Sequence, residues 1–149
     1  MNIRSFVSDD LKGIYEIEHS AFDVGPYNID EIIEMVFSKD AFTLVATDSD
    51  EYIGYVTAVP LNEYEVDIES IAVIPKYQGR HLGDSLLDSI EEIIKKKGYK
   101  KSVLEVREKN YVAINFYLKH GYVKSEFLKN YYCIPYKGSK NAFRMVKSL

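Results

Sequence analysis

The order of apolar and polar positions divides the chain into extended and helical stretches. Residues 1–5 predict a short edge strand. Ser8-Asp9-Asp10 is a helix start signal, an N-cap candidate followed by acids, and Leu11, Ile14, Tyr15, Ile17 and Phe22 then recur at helical spacing. Gly25-Pro26 breaks that pattern. Asn28 predicts the cap of a second helix carrying Ile29, Ile32, Ile33, Val36 and Phe37. Residues 41–47 and 52–60 are rich in Val, Thr, Tyr and Phe, and the polar segment 48–51 between them reads as a hairpin turn.

Residues 66–74 predict the third strand of one antiparallel meander. Strict alternation would place Val66, Ile68, Ser70 and Ala72 on one face, and Asp67, Glu69, Ile71 and Val73 on the other. Pro75 ends this strand because it has no N–H for the ladder. After a turn bearing Gly79 and Gly83, the stripe Leu82, Leu86, Leu87, Ile90, Ile93 and Ile94 predicts a long amphipathic helix. Lys95-Lys-Lys97 suits its negative end, and Gly98 suits the position just beyond it. Residues 103–106 predict a strand, Asn110 caps a fourth helix stopped by Gly121, and residues 122–132 and 142–147 predict two final strands. The connection 133–140 is long and basic. About seven strands and about four helices, with no internal repeat or linker, predict an α/β (α+β) fold in a single domain spanning 1–149.

Composition narrows the function classes. With 149 residues, 46% hydrophobic and 28% charged, the chain reads as globular. The net charge of -4 argues against nucleic acid as main partner. No apolar run approaches a membrane span, and the first residues lack the order of a signal peptide. Cys133 is the lone cysteine, so a cytoplasmic location is expected, with neither an internal disulfide nor a Cys-based metal site. His19 and His120 read as surface residues, no paired-histidine metal spacing occurs, and no metal is expected. Thirteen tyrosines and no tryptophan stand out, since tyrosine lines sites needing both apolar surface and a hydroxyl. Three bulky side chains, Phe22, Val24 and Tyr27, fall on the loop between the first two helices.

The stretch from Val66 to Asn110 carries the chemistry. A helix N-terminus leaves about four N–H groups unpaired and carries about half a positive charge, so a diphosphate placed there needs little other help. Residues 78–84 supply two glycines for close backbone approach and Arg80 for charge. Taken alone, such a turn is ordinary structure more often than a site.

Read together, strand, Gln78-x-x-His81-x-Gly83, helix, strand, Asn110 and helix resemble the acyl-CoA motif of the GNAT superfamily of N-acetyltransferases. Leu104-Glu-Val-Arg107, Asn110, Ala113, Phe116-Tyr117, Gly121-Tyr122, Asn130-Tyr-Tyr132 and Ala142-x-x-Met145 further resemble the N-terminal protein acetyltransferases. These are the ribosomal-protein-alanine type of bacteria and the Ard1 type of archaea and eukaryotes. The likeness is strong over residues 66–149 and weaker before them.

It implies a GNAT fold with a mixed, mostly antiparallel twisted sheet, and acetyl-CoA as cosubstrate. It implies direct transfer to the free N-terminal amine of proteins or peptides, ribosomal proteins among them. By the same resemblance, the strand edge at Ile71, Ala72 and Val73 would pair with the pantetheine arm. Gln78, Gly79, Arg80, His81, Leu82, Gly83, Asp84 and Ser85 would hold the pyrophosphate, and Asn110 would bond the pantetheine. Tyr117 would sit near the thioester sulfur as proton donor, and Glu105 would be the base. Phe22, Val24 and Tyr27 on one side, with Tyr131, Tyr132 and Ile134 on the other, would form the peptide cleft.

Other readings stand beside these. Glu105 could instead pair with Arg107 on the same strand face, and Glu69 is a rival base. Tyr117 could be plain core. Asp23, Asp67 and Glu69 could attract a small cationic amine such as a polyamine or an antibiotic, or a lysine side chain. A non-catalytic acyl-CoA-binding module is the reading from another class, against which both Glu105 and Tyr117 count. Two departures from the motif matter. His81 stands where the family has a glycine, and Asn141 stands where the subfamily often has an acid.

Overall fold

The computed structural model describes residues 1–149. Seven strands form one sheet, in spatial order β1 (Asn2–Ser5), β2 (Phe42–Asp48), β3 (Glu51–Pro60), β4 (Glu65–Val73), β5 (Lys101–Arg107), β7 (Ala142–Ser148), β6 (Val123–Leu128). Every neighbouring pair is antiparallel except β4 with β5. Two helices, α1 (Leu11–Ala21) and α2 (Ile29–Val36), cover one face; α3 (Leu82–Lys96) and α4 (Tyr111–Lys119) cover the other.

Each element follows from local signals. The hairpin between β2 and β3 turns at Ser49 and Asp50, both with positive φ, the twist that suits a two-residue loop. Asn28 caps α2 reciprocally: its Oδ1 accepts from Glu31 N at 2.9 Å while its own N–H donates to Glu31 Oε1 at 3.0 Å. Helix α3 buries Leu82, Leu86, Leu87, Ile90 and Ile94 against the sheet. It ends with Gly98 at φ 92, Gly98 N–H on Lys95 O and Tyr99 N–H on Ile94 O, which satisfies the last carbonyls.

The start of α1 differs from expectation. Ser8 caps nothing; residues 8–10 form one 3-10 turn, and Asp10 is the organising acid. Its carboxylate is 1% exposed, accepts both Arg4 guanidinium nitrogens at 2.8 Å, the Val7 N–H at 2.8 Å and the Tyr52 hydroxyl at 2.7 Å.

Strand β4 departs from strict alternation. Thr57 pairs with Ser70 but Ala58 pairs with Ile68, so Glu69 is an extra residue in a bulge. The bulge reverses the faces beyond it. Val66, Ile68, Ile71 and Val73 all pack toward α3, whereas Ala72 joins the α1–α2 core and Ser70 contacts Glu18 of α1. Strand β6 is also shorter than expected. It stops at Leu128, and Asn130 at φ 53 turns the chain, so Tyr131 and Tyr132 lie on a loop.

Candidate active site

Two features of the sheet create the site. The parallel β4–β5 ladder consists only of Glu65 with Lys101, Val66 with Ser102 and Asp67 with Val103. Beyond Asp67 the two strands part, leaving the β5-facing edge of β4 without a strand partner. On the α3–α4 face this gap opens into a groove of about 670 Å³. Its walls include Ile71, Ala72 and Val73 from β4, Gln78, Gly79, His81, Leu82, Gly83 and Asp84 from the turn, and Asn110 and Tyr117 from α4.

The turn leaves a row of free donors at a helix start, which is suited to an anion. The backbone N–H groups of residues 79–84 make no hydrogen bond within the chain, and they open a 15-residue helix. Gly79 has φ +77 with open space around it, and His81 adopts φ 66, a left-handed conformation that favours glycine. The His81 ring is exposed and lies 3.0 Å from Asp84 Oδ2. Asp84 also bonds His120 Nε2 at 2.7 Å, and this bond is the main reason its carboxyl is held below the usual range. His120 is therefore a tucked partner of the α3 start, 12% exposed, and not a surface residue. Ser85 and Arg80 do not line the groove; Arg80 stacks over Tyr77, 4.9 Å from its ring centre. Gln78 donates its side-chain amide to Val73 O at 2.9 Å, tying the turn to the end of β4. Asn110 caps α4, its Oδ1 accepting from Ala113 N at 3.2 Å.

The opposite face of the parted strands carries the carboxylates. Leu104 and Val106 point into the α3–α4 core, so Glu105 points the other way. Its partner is not Arg107. Arg144, directly across on β7, donates its Nε to Glu105 Oε2 at 3.0 Å and its Nη1 to Glu126 at 3.3 Å. Asp67, registered opposite Val103, shares the Glu105 face and is 4% exposed. Burial, then the Glu105 carboxylate and the Glu69 charge, push its carboxyl well above the usual range. Its Oδ1 has no partner. Glu69, on the bulge, reaches solvent, yet local desolvation and then Glu105 raise its carboxyl too.

The aromatic residues close over this cluster. Tyr27 is half-buried, its hydroxyl 3.4 Å from Glu69 O; its phenol is raised by burial and by the Glu69 charge. Tyr131 and Tyr132 meet edge to face with ring centres 5.0 Å apart. Burial pushes Tyr132 up to about 12. Val24 is partly buried on the α1–α2 loop and Ile134 is exposed on the β6–β7 loop. Phe22, expected on the peptide side, lines the groove beneath. Tyr117, 9% exposed, belongs both to the core and to the groove; burial raises its phenol, with Tyr132 and Asp67 adding to the effect.

A profile of the Acetyltransferase (GNAT) family matches residues 10–122. The chain belongs to the GNAT family. It is 31% identical over 136 residues, 91% of this chain and 90% of the other, to the [ribosomal protein bS18]-alanine N-acetyltransferase of Haemophilus influenzae. The crystal structure of the ribosomal-protein-S18-alanine N-acetyltransferase from Escherichia coli superposes with a TM-score of 0.89 at 26% identity, covering 99% of this chain and 92% of that one. Ard1 from Thermoplasma volcanium superposes at 0.87 and 25% identity, covering 99% and 97%. This GNAT protein is an acetyl-CoA-dependent N-acetyltransferase.

Three features escaped sequence reading. Asp67 was visible only as an acid near the cleft, because the parting of β4 and β5 that buries it is a tertiary event. Glu18, 2% exposed, accepts the Tyr55 hydroxyl at 2.5 Å and the Tyr27 N–H at 3.0 Å, anchoring the α1–α2 loop. Arg107 joins both cleft loops: it donates to Ile134 O at 2.8 Å, stacks 4.0 Å from the Tyr132 ring centre, and its guanidinium lies beside Gly25.

Proposed function

We propose that this GNAT enzyme is an N-alpha-acetyltransferase, moving the acetyl group of acetyl-CoA to the free N-terminal amine of a protein or peptide. The observation that carries the reading is the carboxylate of Glu105 at the parting of β4 and β5, on the sheet face walled by Tyr27, Tyr131 and Tyr132. The fit to the cosubstrate rests on the row of unbonded N–H groups from 79 to 84 and on the open edge of β4 at Ile71, Ala72 and Val73. The turn residues Gln78, Gly79, His81, Leu82, Gly83 and Asp84 would hold the pyrophosphate, and Asn110 would orient the pantetheine arm. When bound, acetyl-CoA supplies an acetyl group activated as a thioester.

The residues of this chain then manage protons. A free α-amine has pKa ~8 against ~10.4 for lysine, so modest help suffices to deprotonate it. Glu105 accepts that proton through a water and orients the amine; Tyr117 Oη gives a proton to the leaving sulfur, and the phenol is replenished from solvent. Each assist contributes ~10²–10⁴-fold. No covalent enzyme intermediate is needed, and the transfer is direct within a ternary complex. Cys133, the only thiol, is exposed on the β6–β7 loop.

A second reading has one observation behind it: three carboxylates, Asp67, Glu69 and Glu105, gather where a polyamine could bind. Arg144 offsets one of them and burial disfavours the charge of another, which leaves little net attraction for a polycation. Thiol release from acetyl-CoA, measured with free peptides, N-blocked lysine peptides and polyamines, separates the readings. Turnover with free N-termini supports the proposal; turnover with polyamines or blocked peptides alone overturns it.

A further inference from the structure

Proton transfer by Glu105 and Tyr117 leaves Asp67 without a role. Its position is specific. It is the last residue of the parallel ladder, so its side chain stands where β4 and β5 begin to part. Glu105 lies two residues beyond Asp67's register partner, on the same face of the adjacent strand. The carboxyl is 4% exposed and Oδ1 lacks any partner, an arrangement that costs free energy for a bare carboxylate. Two carboxylates at such a site cannot comfortably both be charged.

The surroundings decide which one holds the proton. Arg144 of β7 donates directly to Glu105 Oε2 at 3.0 Å, so Glu105 has a cation at hand. Asp67 has no ion-pair partner. The other groups facing it are Glu69 on its own strand, Tyr117 from α4, and Tyr131 and Tyr132 from the β6–β7 loop. None of these is a cation; Arg144 also acts on Asp67 and lowers its carboxyl, but by less than burial, Glu105 and Glu69 raise it.

We infer that Asp67 is a neutral carboxylic acid whose O–H donates to Glu105, fixing that carboxylate between Asp67 on one side and Arg144 on the other. Asp67 is thus a positioning residue: it holds the base in place and exchanges no proton with the substrate. This deepens, and rests on, the assignment of Glu105 as the base.

The test uses Asp67→Asn, Asp67→Ala and the intact enzyme. An asparagine amide can donate the same hydrogen bond without ionising, so Asp67→Asn is expected to keep kcat close to wild type with an unchanged pH–rate profile. Asp67→Ala is expected to lose about 10²-fold in kcat through misplacement of Glu105, with acetyl-CoA affinity unchanged. The infrared carbonyl band of a protonated carboxylic acid should appear at neutral pH and vanish in Asp67→Asn. An Asn variant as slow as the Ala variant would mean that the carboxylate itself moves protons. A fully active Ala variant, or no acid band assignable to Asp67, would also overturn the inference. The infrared measurement needs no turnover, so it remains decisive even if no peptide is acetylated; that result would sink the functional proposal instead.

Discussion

At the scale of single residues, the central contrast is between Glu105 and its neighbours. Glu105 was open to a pairing with Arg107, one alternative to its acting as base. The sheet register instead gives it Arg144, because β5 and β7 pair residue for residue. An ion pair to Arg144 and a catalytic role are compatible, since Arg144 engages only Oε2. Glu105→Gln and Tyr117→Phe are each expected to lower kcat by ~10²–10⁴-fold while acetyl-CoA affinity, measured by titration calorimetry, stays near wild type. The rival Glu69 points from a solvent-reaching bulge, and Glu69→Gln is expected to change kcat far less. Equal losses from Glu69→Gln would transfer the role of base to the bulge residue.

At the scale of elements, the proposed acceptor cleft depends on two loops that share one strut. Arg107 stacks on Tyr132, donates to Ile134 O and lies beside the Gly25 turn, so it bridges the α1–α2 loop and the β6–β7 loop. Arg107→Ala is expected to raise the peptide KM several-fold, by roughly 1 kcal/mol of lost positioning, with smaller effects on kcat and none on the acetyl-CoA Kd. An unchanged peptide KM would mean the loops hold without it. Helices and strands were legible in the sequence wherever the signals were local. The Asn28 cap, the Gly98 stop and the aliphatic stripe of α3 each act within a few residues. The bulge at Glu69 was not legible, because the extra residue is defined only against β3. The early end of β6 was hidden for a related reason. Tyr131 and Tyr132 have strand-like side chains, but the β6–β7 ladder ends at Leu128 with Ala142, and Asn130 tolerates the positive φ that redirects the chain.

For the whole molecule, buried acids of opposite character set the pH response. Arg4, above all through its hydrogen bonds, lowers the Asp10 carboxyl to about 2. Its contribution is therefore present above the unfolded carboxyl range and lost as pH falls through about 2. Glu18 and Asp67, raised chiefly by burial, behave inversely. Their contribution is full below the unfolded carboxyl range and is lost as pH climbs through their raised values. Stability should thus peak in mild acid. The melting temperature of Asp67→Asn, relative to wild type, should rise from about pH 4 to about pH 8, because the amide removes a group that must be kept uncharged. A constant difference across that range would mean Asp67 titrates normally.

The family and its cosubstrate chemistry rest on a motif that is contiguous in sequence and, in the fold, becomes the groove, its glycine-bearing turn and the parted strands. On the function proposed, the far side of the sheet decides the acceptor. The most direct measurement is tandem mass spectrometry of a peptide carrying both a free α-amine and an internal lysine, after incubation with acetyl-CoA and either wild type or Glu105→Gln. The account predicts one acetyl group, on the α-nitrogen, formed by wild type and slowed at least about 10²-fold in the variant. Acetylation at the lysine Nζ, or an α-acetyl formed equally fast by both proteins, would contradict it.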